Sequence, residues 1–314
     1  MKSIFHILSA VLLVSLLSAL LFGCIEEQTE QVWFSFTDDT GACVALDSPP
    51  RTVAVLFSSY AELWSLCGGE VAVTVGESVE RGLVPHDTLL VDNGAGKQIS
   101  EEALLAAAPD LVLVSADVPA QVSIAARMRE VGIAAACLRV ESFSDYARIM
   151  RLFCDILGNN EGYDAYVTPL VQRIAVLKNE AKEKDSPRTL FLRTGSSASS
   201  LKPKRGSDHF AARMLSELGA ENLADTLPDG ADTLSMEEIL RYDPEVIFVA
   251  TMGNAQRAES FLRTYMEQDA AWQSLTAVKN ERVVFLPKEL FQYKPNQRYG
   301  DAYEFLWEEL YGEK

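Results

Sequence analysis

The sequence predicts an α/β protein of two Rossmann-like lobes, each on a central, mainly parallel sheet, with a long α-helix bridging them. Three observations carry this. The stretch SEEALLAAAPDLVLV at Ser100–Val114 recurs as SMEEILRYDPEVIFV at Ser235–Val249. In each copy a serine precedes an apolar pattern at helical spacing (Leu104, Leu105 and Ala108; Ile239 and Leu240). A proline then stops the helix (Pro109, Pro244), an acid follows (Asp110, Glu245), and an unbroken apolar run reads as a strand buried on both faces. A helix delivered into such a strand is half of a βαβ unit, and its duplication implies two lobes of like design with a cleft between them. Finally, Ser142–Lys184, between the copies, shows no strand signal but two apolar stripes at helical spacing.

With Ser100 and Ser235 as caps, the second helical position is Glu in both copies, Glu102 and Glu237. A carboxylate in the first turn is favoured by the helix dipole by about 0.3–1 kcal/mol, and Glu238 completes a capping box with Ser235. The dipole asks only for an acid somewhere in the turn, not for the same register twice.

Taken in order, Met1–Gly23 is a basic start at Lys2 followed by an apolar run closing on Leu21-Phe22-Gly23-Cys24. It reads as a signal peptide over 1–23, and the ending resembles a bacterial lipobox, with Cys24 the lipidated first residue of a polar tether over 24–31. An uncleaved anchor of this length is the alternative. Either way the body lies outside the cytoplasm. The formal charge is −17 over 314 residues and becomes −18 once Lys2 leaves with the signal. Such a balance argues against a nucleic-acid partner and against direct adhesion to anionic headgroups, so membrane attachment falls to Cys24. Cys43, Cys67, Cys137 and Cys154 form no CxxC and have mostly apolar neighbours. They read as buried thiols, with pairing left open.

The N-terminal lobe, 32–141, opens with a hairpin over Val32–Leu46 that turns at Asp38-Asp39-Thr40-Gly41. Thr52–Phe57 is a core strand running into Ser58-Ser59-Tyr60 and a helix over Ala61–Leu66, so backbone N–H groups there face any ligand at the strand's carboxyl end. Val71–Val75 and Leu111–Val114 are further strands, and Ala120–Val131 is a crossover helix stopped by Gly132.

The bridge, 142–185, carries Phe143, Tyr146, Met150, Phe153 and Leu157 on one stripe, then Tyr163, Tyr166, Leu170, Ile174 and Leu177 on a second. One helix over Gly162–Glu183 would be about 33 Å long, bent at Pro169. The C-terminal lobe, 186–314, starts with the strand Thr189–Leu192, followed by Arg193 and the basic group Lys202, Lys204 and Arg205. Ser207 reads as the cap of a helix over Asp208–Leu218. The repeat, a helix around Ala258–Met266, the strand Arg282–Leu286, a loop over Pro287–Arg298 and a closing helix over Asp301–Tyr311 complete it.

From Val32 to Tyr311 the chain resembles the substrate-binding lipoproteins of ABC importers for ferric siderophores, haem and cobalamin. The resemblance rests on TDDTGACVALDSPPRTVAVLFSSYAELW, the two SxExxLxxxP[DE] units, the helical bridge, AWQSLTAVKNERVVFL and the terminal aromatic helix. It implies two lobes joined by a long helix, a small closure, and a glutamate from each lobe docking on an ABC permease dimer, at Glu102 and Glu237 here. It implies a monomer and no cofactor. A sensor or adhesin lipoprotein of the same fold would share these features and lack only the permease.

No enzyme motif is present: there is no Gly-x-Ser-x-Gly or HExxH, and Gly94-Ala95-Gly96-Lys97 lacks the rest of a P-loop. A bare metal ion needs several His ligands, and beyond the signal only His86 and His209 exist. They read as surface residues. The expected ligand wall is the basic cluster Arg193, Lys202, Lys204 and Arg205 with Tyr293 and Lys294, facing Ser59, Tyr60 and Trp64 from the other lobe. Cations beside aromatic faces suit an anionic, partly flat ligand. A ferric siderophore fits first, haem second and cobalamin third.

Overall fold

The structure, a computed structural model, describes residues 32–92, 98–228 and 231–312. The signal segment, Cys24, the tether and Gly94-Ala95-Gly96-Lys97 lie outside them. β1 (Phe34–Thr37) and β2 (Cys43–Leu46) form the expected antiparallel hairpin. Asp38 holds its turn by accepting from the Thr40 and Ala42 N–H groups at 2.9 and 3.0 Å.

The first sheet contains β3 (Val53–Val55), β4 (Val73–Thr74), β5 (Leu89–Leu90), β6 (Leu111–Ser115) and β7 (Ala134–Leu138), all parallel, in the order β5-β4-β3-β6-β7. Its helices are α1 (Ser58–Leu66), α2 (Gly76–Glu80), α3 (Glu101–Ala106) and α4 (Pro119–Glu130). Strand order reverses between β3 and β6, which opens a crevice at their carboxyl ends.

The bridge contains α5 (Phe143–Leu157), α6 (Glu161–Tyr166) and α7 (Thr168–Ala181). Ser142 caps α5 by accepting from the Asp145 N–H at 3.1 Å, and Gly158 ends it at φ 69°. The single bent helix expected over 162–183 is two helices separated at Val167, whose φ −111° and ψ −50° leave the helical path. Pro169 explains the break, because it sits in the first turn of α7, where a missing N–H costs nothing.

The second sheet contains β8 (Arg188–Thr194), β9 (Lys202–Pro203), β10 (Glu221–Asn222), β11 (Val246–Thr251) and β12 (Val283–Phe285). Its parallel order is β10-β8-β11-β12, with β9 antiparallel on β8, so a second switch point lies between β8 and β11. Around it stand α8 (Phe210–Glu217), α9 (Met236–Tyr242), α10 (Ala255–Glu267), α11 (Ala270–Ser274), α12 (Thr276–Lys279), α13 (Lys288–Phe291) and α14 (Tyr299–Tyr311). The cap of α8 is His209 rather than Ser207, because the His209 Nδ1 accepts the Ala211 N–H at 3.2 Å.

The internal repeat is structural. Ser100 and Ser235 cap α3 and α9, and the residue before each proline, Ala108 at φ 44° and Asp243 at φ 50°, turns left-handed to leave the helix. The acid that follows clamps the neighbouring strand. Asp110 accepts from the Arg51 and Thr52 N–H groups at 2.8 Å each, and Glu245 accepts from the Arg188 N–H at 3.3 Å.

Alternate strand residues divide the core. Ala54, Val112 and Val114 pack outward on α3 and α4, while Val53, Val55, Leu111 and Leu113 pack inward on α1 and α5. In the second sheet Leu190, Ile247 and Val249 face α10 and α11, and Phe191 and Phe248 face inward. The two inner faces belong to one apolar cluster, joined through Tyr146, Phe153, Tyr299 and Tyr303 of α5 and α14. The Tyr146 and Tyr299 rings lie 5.5 Å apart at its centre.

A candidate ligand cleft between the lobes

The chain following β3 and the carboxyl end of β8 open onto the same space. A cavity of about 380 Å³ lies there, lined from one side by Phe57, Ser58, Ser59, Glu77 and Glu141 and from the other by Arg193, Asp208, His209, Phe210, Gln292, Tyr293 and Lys294. A larger hollow of about 800 Å³ on the first lobe shares Phe57, Ser58 and Glu77 with it. Its size suits a bulky ligand rather than a bare ion.

The first-lobe wall is a hydrogen-bonded set on the first turns of α1 and α2. The Ser58 hydroxyl donates to Glu77 Oε2 at 2.5 Å and accepts from Arg81 Nη1 at 2.8 Å. The Arg81 guanidinium stacks 4.1 Å from the Tyr293 ring centroid, on the segment after β12. Two more links cross the cleft: Lys294 forms an ion pair with Glu141, and Asn296 Nδ2 donates to the Ser59 carbonyl at 3.1 Å and to Glu62 at 2.8 Å. Burial pushes the Glu62 carboxyl up, against the pull of Asn296 and Arg81.

The second-lobe wall carries two cations, Arg193 and Lys294, and one carboxylate, Asp208, which pairs with Arg205. Arg193 lies one residue from the end of β8, and its Nε is buried with no partner among the described residues. A buried guanidinium N–H without an acceptor is costly. His209 packs between Phe191 and Phe210, 4.9 Å from each ring centroid. Burial first, then Lys294, Arg193 and Lys204, pull its pKa down to about 3. The imidazole is therefore neutral, and with Nδ1 occupied as the α8 cap, the assigned tautomer carries its proton on Nε2.

Of the expected ligand residues, Ser59, Arg193, Tyr293 and Lys294 meet in this cavity. Tyr60 and Trp64 do not supply aromatic walls; each is 1% exposed in the first-lobe core. Tyr60 donates to the Leu138 carbonyl at 2.6 Å, while Trp64 donates to the Glu70 carbonyl at 3.0 Å and meets Phe153 edge-on at 5.1 Å. The basic cluster also separates. Lys202 pairs with Asp232 at 2.9 Å, Arg205 pairs with Asp208 at 2.9 Å, and neither lines the cavity. Lys204 contributes field at His209 rather than a contact with the cavity. Glu102 and Glu237 are both exposed, one on each lobe.

Phe57, Ser58, Glu77, Glu141, Asp208, His209, Phe210 and Gln292 line the cavity without being among the expected ligand residues. Ser58 sits where the strand-to-helix argument points. His86 is exposed, but His209 is not the surface residue expected, and only its place between Phe191 and Phe210 reveals it. Among the described residues no group of three or more His, Cys, Asp or Glu is placed to hold a metal ion.

Two parallel α/β sheets, a helical bridge and a cavity at both switch points define a solute-binding protein. The chain belongs to the periplasmic binding protein family, whose model matches residues 53–290. No curated protein matches the chain. Solved structures with the same fold include the haem complex of S. aureus IsdE, with TM-score 0.68 and 14% identity over 83% of this chain and 98% of that one. The vitamin B12 binding protein BtuF of Vibrio cholerae gives TM-score 0.65 and 19% identity over 83% and 97%. The siderophore binding protein BauB, bound to ferric iron and two acinetobactin molecules, gives 0.69 and 15% over 90% and 99%.

Proposed function

We propose that this chain is an extracytoplasmic substrate-binding lipoprotein, anchored at Cys24, that captures an anionic metal chelate between its lobes and delivers it to an ABC permease. A ferric siderophore is the favoured cargo, ahead of haem and then cobalamin, which carries little net negative charge. The permease would be met by Glu102 and Glu237, and the mature body would divide into lobes at about residues 141 and 185, in line with ordinary domain sizes.

The observation that carries the reading is Arg193. Its guanidinium stands at a strand's carboxyl end, at a topological switch point, with Nε buried and unpartnered beside a cavity lined from both lobes. A carboxylate, catecholate or hydroxamate oxygen would satisfy it. The neutral His209, Ser59 and Tyr293 add donors and an aromatic face nearby. The relatives whose structures hold haem or a ferric siderophore support a chelate of this size. A thermal-shift screen of siderophores, haem and cobalamins tests the reading, since a ligand at 100 times its Kd adds about 2.7 kcal/mol of stability. No shift with any anionic chelate would overturn it.

A further inference from the structure

Cys67 and Cys154 are separated by 87 positions and meet in the core with their sulfurs 3.3 Å apart. Both are thiols here, and both are fully buried, at 1% and 0% exposure. Cys67 ends α1, the helix whose first turn forms the first-lobe wall of the cleft, and Cys154 belongs to α5 of the bridge. Their surroundings hold both backbones in place. Trp64 packs on Phe153, the Asn159 side chain donates to the Cys67 carbonyl at 3.3 Å, and a Cβ at Gly162 would sit 2.6 Å from the Cys67 Cα.

We propose that Cys67 and Cys154 are a disulfide site, oxidised as the exported chain folds, which fastens the ligand-bearing helix α1 to the bridge. A disulfide needs its sulfurs at about 2.05 Å, so closure asks for a movement of little more than an ångström shared between two side chains. The family's location outside the cytoplasm supplies the setting in which such bonds persist. The oxidant is an external disulfide, small-molecule or protein-borne. One thiolate attacks it, forming a mixed disulfide and releasing one thiol. The second cysteine's thiolate then displaces the other half, so the two cysteines lose two protons and two electrons and the external disulfide gains them as two thiols. Burial raises the Cys67 thiol well above its ordinary range, so the exchange belongs to folding, before the core closes. Cys43 is exposed and Cys137 packs at β7, so neither competes for this contact.

The test is a thiol map of the full chain recovered from its native host. Alkylation in denaturant without reductant, then digestion, should leave Cys43 and Cys137 labelled. It should also yield one cross-linked pair carrying Cys67 and Cys154, lost on reduction, with Tm falling by roughly 5 °C. Labelling of all four thiols in exported protein would overturn the proposal. The proposal rests on the extracytoplasmic reading, and a second arm separates the two. If the chain is found inside the cell, refolding reduced protein against glutathione disulfide still decides the pairing. A Cys67–Cys154 link supports the site, and free thiols or any other pairing overturn it.

Discussion

Asn296, held left-handed at φ 51° in the segment before α14, reaches across the cleft and donates to the Ser59 carbonyl at 3.1 Å and to Glu62 at 2.8 Å. With the Arg81–Tyr293 stack and the Lys294–Glu141 ion pair, it ties the second lobe's last loop to the first lobe's ligand wall. Below these links one apolar cluster runs unbroken through both lobes. The break in the bridging helix removes the original ground for a small closure, and these links with the shared apolar cluster are the ground on which it is predicted instead. Ligand should change the radius of gyration by about an ångström or two, as for a shear rather than a wide hinge. The double variant Lys294→Ala, Asn296→Ala should broaden the unliganded scattering profile. Removing Asn296 alone should cost about 1–3 kcal/mol, because Glu62 and the Ser59 carbonyl each lose a hydrogen bond and Gln297 and Arg81 remain to Glu62. A wide, ligand-driven closure in the unaltered protein contradicts this account.

Charge reversal at the two repeat glutamates separates docking from binding. Glu102→Lys with Glu237→Lys should abolish uptake and association with the permease, because the resemblance implies arginine pockets there for the two glutamates, and like charges in an interface cost several kcal/mol. Both residues are exposed, so ligand affinity should hardly move. Normal uptake by the double reversal would remove them from the docking role.

His209 makes stability pH-dependent in a definite direction. Its folded pKa of about 3 lies below the ordinary value of 6.5, so between those limits the unfolded chain binds a proton that the folded chain refuses. Stability should therefore fall as pH drops below about 6.5, by up to about 1.4 kcal/mol per pH unit from this group. His209→Asn keeps a cap acceptor for α8 and removes the titration. Denaturant midpoints at pH 7 and pH 5 should differ less in the variant than in the parent. An unchanged difference would show that the imidazole is accessible and ordinary.

Gly162 opposes helix propensity to packing. Alanine should stabilise the first turns of α6 by up to about 1 kcal/mol, but its Cβ would lie 2.4 Å from the Leu66 carbonyl oxygen. Backbone on both sides cannot yield cheaply, so Gly162→Ala should cost about 1–3 kcal/mol, read as a lowered Tm. A raised Tm would mean that α6 is not seated on α1.

What the sequence made legible is what neighbours in the chain determine. The Ser100 and Ser235 caps, the proline stops, the buried strands and the hairpin turn at Asp38 follow from local chemistry and stand as expected. The cleft was half legible, because Arg193 and Ser59 lie next to strand ends and their placement needs only the switch-point rule. Tyr60 and Trp64 went the other way because the rotation of α1 is set by α5, through the Trp64–Phe153 contact, and no local pattern encodes which helix face a distant partner will cover. Pro169 shows the same limit, since a proline reads equally as a bend within one helix or the first turn of the next. Lys202 was drawn off by Asp232, a pairing visible only once the loops are folded, whereas Arg205 pairs with Asp208 only three residues on, a local contact that the sequence did offer.

The most direct test is equilibrium titration of the unaltered chain and Arg193→Ala with an anionic ferric siderophore, at low and high salt. Losing hydrogen bonds to a charged group should weaken binding by about 1.5–3 kcal/mol, and affinity of the unaltered chain should fall as salt rises. Tight, salt-independent binding of a neutral corrinoid that Arg193→Ala leaves unchanged would contradict the claim that Arg193 receives an anion.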